Sequence, residues 1–316
     1  MNCLTDFDKE FTVAFEACKE QINNYPEAFR LDALADLEKH NIVKSRKGNF
    51  ICYLLPFWLQ ASLKIDMKTC IDISTSNLFK LLYFLIQDKV MDAPENENKG
   101  YMLPLGNLYF IDFIEGYQKF FNSDSPFWTY FKTYLHQWAQ SVDKEGKKHW
   151  EQNKQFTEED FLLLAEKAAP VKLSCASICL LSNKEEFINP ISNAIDSVLI
   201  ILQLLDDWAD WKKDLSEGNC TYLLSEAMKY CNITNFSKLK ESDVKKAIFL
   251  GNIMQKVFGV GENYYKSVIN MSVQVPYLTN FCEVLMCDCR NVLEKIQAHI
   301  NRSLSGGMNS LQYIQK

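Results

Sequence analysis

An all-α fold is the expectation for this chain, and three features carry it. Of its 316 residues, 47% are hydrophobic and 13% aromatic, enough apolar material for a large core. Only 11 Gly and 8 Pro interrupt that material, and these are the strongest local breakers. Apolar residues recur at helical spacing in segment after segment, with no period-2 alternation of a half-buried strand. Helices are expected at about 5–22, 27–41, 48–63, 75–91, 107–121, 125–143, 157–181, 187–215, 219–230, 241–258, 261–271 and 276–303.

Each boundary has a local cause. Asn23, Asn24 and Pro26 close the first helix, and residues 122–126, from Asn122 to Pro126, open the sixth. Ser182, Asn183 and Lys184 end a buried apolar run, and Gly218 stops the long helix that follows it. Residues 93–100 are polar and contain Pro94, which cannot continue a helix. No break resembles an interdomain linker and no repeat period is visible. One domain over 1–316 is therefore expected, with a flexible tail over about 303–316, where Gly and Ser accumulate.

Composition excludes several classes. The formal net charge is −6, and without a basic run or arginine stripe nucleic acid is not an expected partner. The N-terminus is acidic and lacks the apolar core of a signal peptide. No uninterrupted apolar run reaches transmembrane length, so a cytoplasmic location is expected and the sequon-like Asn232 and Asn301 carry no weight. The 11 cysteines show no paired zinc spacing, Cys282, Cys287 and Cys289 being the only cluster, and read as buried free thiols of a reducing compartment. His40, His136, His149 and His299 are scattered, and no nucleophile elbow is present.

Two acidic motifs carry the chemistry. The first follows the apolar segment 78–87: Asp88 and Asp92 lie four apart, hence on one face of a helix, just before Ala93 and Pro94. The second follows the apolar run 194–205: Asp206, Asp210 and Asp214 recur every four residues, with Asp207 beside them and Gln203 one turn earlier. Like charges at that spacing cost roughly 0.2–0.5 kcal/mol per pair unless something neutralises them. Oxygen-only ligands with room for water and phosphate suit Mg²⁺ better than zinc. Two apolar helices ending in carboxylates are expected to face a cluster of cations and a polyphosphate with a greasy tail.

These residues resemble a known superfamily. Gln203, Asp206, Asp207 and Asp210 are similar to the second aspartate-rich motif of trans-isoprenyl diphosphate synthases. Asp88, Asp92, Ala93 and Pro94 resemble the first motif of squalene and phytoene synthases, and Gln203, Asp210, Asp214 and Gly218 keep that group's second-motif spacing. Both groups are class I isoprenoid (terpenoid) synthases, which implies an all-α bundle around a deep apolar cavity, a prenyl diphosphate substrate and Mg²⁺ as a cluster of three ions with the diphosphate. By that resemblance Asp88, Asp92, Asp206, Asp210 and Asp214 hold metal, and Asp207 acts as an auxiliary ligand. Gln203 hydrogen-bonds a ligand carboxylate or water. Lys167 contacts the leaving diphosphate, with Lys172, Lys212 and Lys213 as further candidates. Phe50, Trp58, Phe79, Tyr83, Phe84, Tyr109, Phe110 and Phe113 are the aromatic candidates for the cavity wall, Tyr83 and Phe84 foremost. A homodimer is also implied.

Departures from the pattern favour a subfamily. Isoprenyl diphosphate synthases carry a Gly-Gly-Lys-Arg segment for the second, non-allylic diphosphate. The counterpart here, residues 45–49, keeps Arg46 and Lys47 without the double glycine. The first motif also lacks a doubled aspartate. The expectation is a Mg²⁺-dependent terpene synthase, a lyase that ionises one allylic diphosphate and cyclises or rearranges the cation. The alternatives are a head-to-tail or head-to-head prenyltransferase and a non-catalytic prenyltransferase subunit.

Overall fold

A computed structural model describes residues 1–48, 50–93, 99–148 and 158–305. The described residues are helical with no strand. In order the helices are α1 (Asp8–Ile22), α2 (Glu27–Glu38), α3 (Ile42–Ser45), α4 (Phe50–Leu63), α5 (Met67–Met91), α6 (Leu103–Gln118) and α7 (Phe127–Lys148). There follow α8 (Glu158–Lys167), α9 (Leu173–Leu181), α10 (Ile188–Glu217), α11 (Tyr222–Cys231), α12 (Glu241–Phe249), α13 (Ile253–Ile269) and α14 (Pro276–Ser305).

Several boundaries differ from expectation for identifiable reasons. Helix α5 begins two turns earlier, because Asp66 caps it by accepting the Thr69 N–H at 2.9 Å. The segment 157–181 is broken at Pro170, where a 3₁₀ turn, Ala169–Lys172, separates α8 from α9. The break expected near 259–260 falls instead at 250–252, so α12 is short and α13 runs through Gly259 and Gly261. Residues 303–305 belong to α14 rather than to a tail, and 306–316 lie outside the described residues, as do Asn49, Pro94 and His149. Helix α5 and the segment Glu185–Glu217 do reach the length and mean hydropathy of a membrane span, but 61% of each apolar window is buried by protein, as in a core helix.

The chain divides into two compact units. Unit 1 comprises Met1–Tyr134, Pro170–Ser192 and Ser272–Phe281; unit 2 comprises Leu135–Ala169, Asn193–Met271 and Cys282–Lys316.

Unit 1 is organised around α5, whose residues 73–80 are all buried. Helices α1, α4, α6 and α9 pack on it, and their aromatic side chains interlock. Phe113, Tyr117 and Phe127 are fully buried, with Tyr117 and Phe127 stacked at 4.9 Å and Phe121 and Phe127 at 4.2 Å. Burying each such ring contributes about 1.5–3 kcal/mol. A Cβ on Gly116 would stand 1.9 Å from Ser76 Oγ, so glycine is what lets α6 approach α5 this closely. Trp58 donates its indole N–H to the Cys3 carbonyl at 2.9 Å, which ties the N-terminal turn down.

Unit 2 is built on the apolar half of α10. Ile201 and Leu204 of α10 and Met286 of α14 pack against the bare face of Gly261 on α13. Phe161 of α8 meets Tyr222 of α11 edge-on at 4.8 Å. Glu226, 3% exposed, is held by Lys229 at 2.7 Å and Lys256, which links α11 to α13.

Candidate active site

The second motif lies within unit 2 on the last three turns of α10, where the apolar face gives way to carboxylates. Asp206 and Asp210 are exposed, Asp214 is half-buried and Asp207 is buried. Burial, followed by the Asp210 carboxylate, raises the Asp206 pKa, while Lys167 and Lys213 lower it. Asp214 is raised first by burial and then by Asp210, Asp206 and Glu217, against a lowering hydrogen bond from the Asn219 side chain. Asp210 therefore makes both Asp206 and Asp214 harder to ionise.

Asp207 behaves differently because a helix turns it about 100° from Asp206. It is 2% exposed, and burial pushes its carboxyl up to about 7. Its Oδ1 accepts from Gln203 Nε2 at 2.9 Å, since Gln203 sits one turn before Asp207 rather than before Asp206. Its Oδ2 is buried without a close hydrogen bond among the described residues, although the Tyr222 backbone N–H reaches the carboxyl and lowers its pKa.

The lysines flanking this motif separate. Lys167 at the end of α8 and Lys213 act on Asp206. Lys212 is turned the other way: it lies over the Trp211 ring at 5.7 Å and pairs with Glu241 of α12 at 3.6 Å. Lys172 belongs to unit 1, where it is 3% exposed and stands 5.1 Å from the centroid of the Tyr134 ring.

The first motif lies within unit 1 on the last turn of α5. Asp88 is half-buried and Asp92 is exposed as the C-cap, its N–H donating to the Asp88 carbonyl at 2.8 Å. One turn earlier Tyr83 and Phe84 are half-buried and meet edge-on at 5.0 Å, and Tyr83 lies 4.9 Å from Phe110. These three form an aromatic group below the carboxylates. Trp58, Phe79, Tyr109 and Phe113 are fully buried. Phe50 is half-buried at the start of α4.

Arg46 and Lys47 close α3 of unit 1. Arg46 takes a left-handed backbone as its cap (φ 53°) and pairs with Asp8 of α1 at 2.7 Å. Lys47 is exposed.

One polar group escaped the reading of the sequence. Lys80, two turns before Asp88, is 2% exposed and donates to Asn77 Oδ1 at 2.8 Å and to the Pro170 carbonyl at 3.0 Å. Asn77 Oδ1 also accepts from Tyr117 at 2.9 Å, and Asn77 Nδ2 donates to Ser174 at 2.9 Å. The signal was present: a single lysine inside the apolar run 78–87 is a residue type almost never buried without a partner.

The donor set fits Mg²⁺. All the candidate ligands are carboxylate oxygens, and Asp206 and Asp214 are both repelled by Asp210, a repulsion that a cation would relieve. Among the described residues no three His, Cys, Asp or Glu side chains converge on one point as a closed cage. A hard cation here would complete its shell with water and phosphate, as Mg²⁺ does.

Comparison with known proteins defines the fold. No protein-family model matches the chain, and no curated protein matches it by sequence. Solved structures do match. A geranylgeranyl pyrophosphate synthetase from the archaeon Geoglobus acetivorans superposes with TM-score 0.67 at 16% identity, over 89% of this chain and 99% of that one. A geranylgeranyl pyrophosphate synthase from Lactobacillus brevis gives TM-score 0.67 at 14% identity, over 89% of this chain and 96% of that one. A further geranylgeranyl pyrophosphate synthase gives 0.64 at 16% identity, over 90% of this chain and 99% of that one. The chain has the all-α class I isoprenoid synthase fold, in the form seen in trans-isoprenyl diphosphate synthases.

Proposed function

We propose that this protein is a Mg²⁺-dependent prenyltransferase that joins an allylic prenyl diphosphate to a second isoprenoid diphosphate. The observation that carries the reading is the carboxylate stripe of α10, where Asp206, Asp210 and Asp214 repel one another and two lysines stand beside Asp206. The solved structures that share the fold are named as geranylgeranyl pyrophosphate synthases, which favours transfer over the lyase reaction expected from the sequence.

Each residue has a role that its surroundings support. Asp88 and Asp92 supply oxygen ligands on the first motif, and Asp206, Asp210 and Asp214 supply them on the second. Bound Mg²⁺ would contribute the positive charge that stabilises a departing diphosphate. Gln203 orients Asp207, whose buried oxygen stands ready as an auxiliary ligand. Lys167 and Lys213 add positive potential beside Asp206. Tyr83, Phe84 and Phe110 offer ring faces that shield an allylic cation from water and stabilise its charge.

One observation favours a one-substrate terpene synthase instead. Arg46, the candidate for gripping the second diphosphate, is already paired with Asp8. A product assay with Mg²⁺ separates the two. The protein is offered geranyl, farnesyl and geranylgeranyl diphosphate, each with and without isopentenyl diphosphate. A longer diphosphate that forms only with isopentenyl diphosphate, or a doubled hydrocarbon from one substrate, is the expected outcome. Hydrocarbon or alcohol of unchanged carbon number with released diphosphate would transfer the assignment to a terpene synthase. No consumption of any substrate would overturn both.

A further inference from the structure

Helix α10 ends just beyond its carboxylate stripe. Asp214 lies three residues before the last helical residue, Glu217, so both carboxylates stand at the negative end of the helix dipole, where anions are disfavoured. No basic residue occupies that last turn to offset them. Helical spacing puts Asp214 one turn after Asp210, but it does not fix where the Asp214 carboxylate points, and helix ends fray.

The chain that leaves the helix turns back onto Asp214. Gly218 is left-handed at φ 84°, a conformation that glycine adopts without the strain a side chain would bring. The turn brings the Asn219 N–H onto the Asp214 carbonyl at 2.8 Å, the closing bond of a Schellman cap. The Asn219 side chain is set over the same turn, and its Nδ2 donates to Glu217 Oε2 at 3.3 Å. Burial raises the Asp214 pKa, and a hydrogen bond from the Asn219 side chain to that carboxylate lowers it. Asn219 is half-buried and neutral. A lysine in its place would compete with a cation for the same oxygens, whereas an amide holds a carboxylate and leaves its charge available.

We propose that Asn219 is a positioning residue for the second motif: its amide holds the Asp214 carboxylate in place as a ligand for a divalent cation without cancelling its charge. The inference rests on the proposed function, since it takes Asp214 as a metal ligand. Asn219 acts only through Asp214.

A merely structural role predicts something different. If Asn219 only ends α10 cleanly, its loss frays the last turn and weakens cation binding whether or not Asp214 is present. If it acts through Asp214, its loss matters only while Asp214 is there, which a double-mutant cycle reads directly. The test uses the full chain and measures binding of Mn²⁺, a paramagnetic stand-in for Mg²⁺, in the presence of inorganic pyrophosphate, alongside thermal melting. Asn219→Ala is expected to weaken Mn²⁺ half-saturation by roughly two- to ten-fold, the size of one net hydrogen bond. Asp214→Ala is expected to weaken it too, and the double variant to bind no more weakly than Asp214→Ala. Thr221→Ala removes the side chain that caps α11 by accepting the Leu224 N–H, and so loosens the same connection without touching Asp214. It is expected to lower Tm and bind Mn²⁺ as the wild type does, which keeps the comparison decisive even if Asp214→Ala abolishes binding. Asn219→Leu, similar in shape and without a donor, replaces Asn219→Ala if that variant does not fold. Unchanged binding in the Asn219 or the Asp214 variant, a further loss in the double variant, or an equal loss in Thr221→Ala would overturn the inference while leaving the proposed function standing. Wild-type protein that binds no Mn²⁺ with pyrophosphate would instead remove the metal assignment on which both depend.

Discussion

The two aspartate motifs solve the same problem with opposite constructions. The second lies inside α10, which continues to Glu217, so helical geometry alone sets Asp206, Asp210 and Asp214 four residues apart. The first lies on the terminal turn of α5, with Asp92 already the cap, and its geometry depends on neighbours such as α2. The charges buried along the two helices also differ in sign. Helix α10 buries a carboxyl, Asp207, within its motif, whereas α5 buries an amine, Lys80, two turns before its own. In both, burial pushes the group toward its neutral form, Asp207 up to about 7 and Lys80 down to about 8. A motif inside a helix is preorganised and strained by its own charge; a motif at a helix end takes its geometry in part from its neighbours.

The largest effect should come from the carboxylates themselves. Asp88→Ala and Asp210→Ala are each expected to reduce turnover by at least roughly a thousand-fold, about 4 kcal/mol of transition-state stabilisation. Their melting temperatures should part company. Asp210 raises both Asp206 and Asp214, so its removal should leave Tm equal or higher. The first motif pairs Asp88 with one aspartate four residues away, Asp92, rather than two, so its removal should bring less gain. Substantial activity in both variants would sink the assigned site, and equal Tm shifts would sink the contrast.

Helix content and both motifs were legible in the sequence because each depends on local spacing. Asp206, Asp210 and Asp214 share a stripe in any helix, and no tertiary knowledge is needed to see it. What was not legible depends on which neighbour a side chain meets. Lys212 and Lys213 are indistinguishable in sequence, yet Glu241 on α12 claims the first and Asp206 feels the second. Gln203 was expected to hydrogen-bond a ligand carboxylate or water, and which of Asp206 and Asp207, three and four residues on, takes its amide was not legible; it is Asp207. The early start of α5 was missed because its first turns are polar (Lys68, Thr69, Asp72) and the periodic signal there is weak, although the Asp66 cap was readable. The terpene synthase expectation leaned on missing glycines near Arg46; the fold comparison leaves it unconfirmed, and the proposed function follows the prenyltransferase alternative that the sequence also left open.

A smaller effect tests the charge buried in α5. Among the described residues no carboxylate lies within ion-pair reach of Lys80, and burial depresses its pKa from 10.5 to about 8, Cys52 opposing this slightly. A depressed amine binds fewer protons folded than unfolded between those two values, so its share of stability rises as pH increases from about 8 to 10.5. Below pH 8 the buried charge costs up to about 3 kcal/mol. Lys80→Met keeps the volume, and Asn77 Oδ1 retains the Tyr117 hydrogen bond. The variant should therefore match or exceed wild-type stability at pH 7, with its advantage shrinking by pH 9.5 in denaturant titrations. A difference that does not change with pH would mean that the amine is neutral throughout or finds a counter-charge.

The smallest effect separates the two lysines of α10. Lys213 lowers the Asp206 pKa, so it contributes positive potential where a diphosphate would leave; Lys212 is committed to Glu241 and the Trp211 ring. Both are exposed, which limits each to about 0.2–1 kcal/mol. Lys213→Met should lower kcat/KM by about two- to five-fold with unchanged Tm. Lys212→Met should leave kcat/KM unchanged and cost at most a few tenths of a kcal/mol of stability through the lost pair. Since the two residues are adjacent and of one type, any non-specific effect of net charge acts on both alike. Only a difference between them reports the direction each side chain takes, and equal losses would mean that the stripe is sensed by charge at long range rather than by placement.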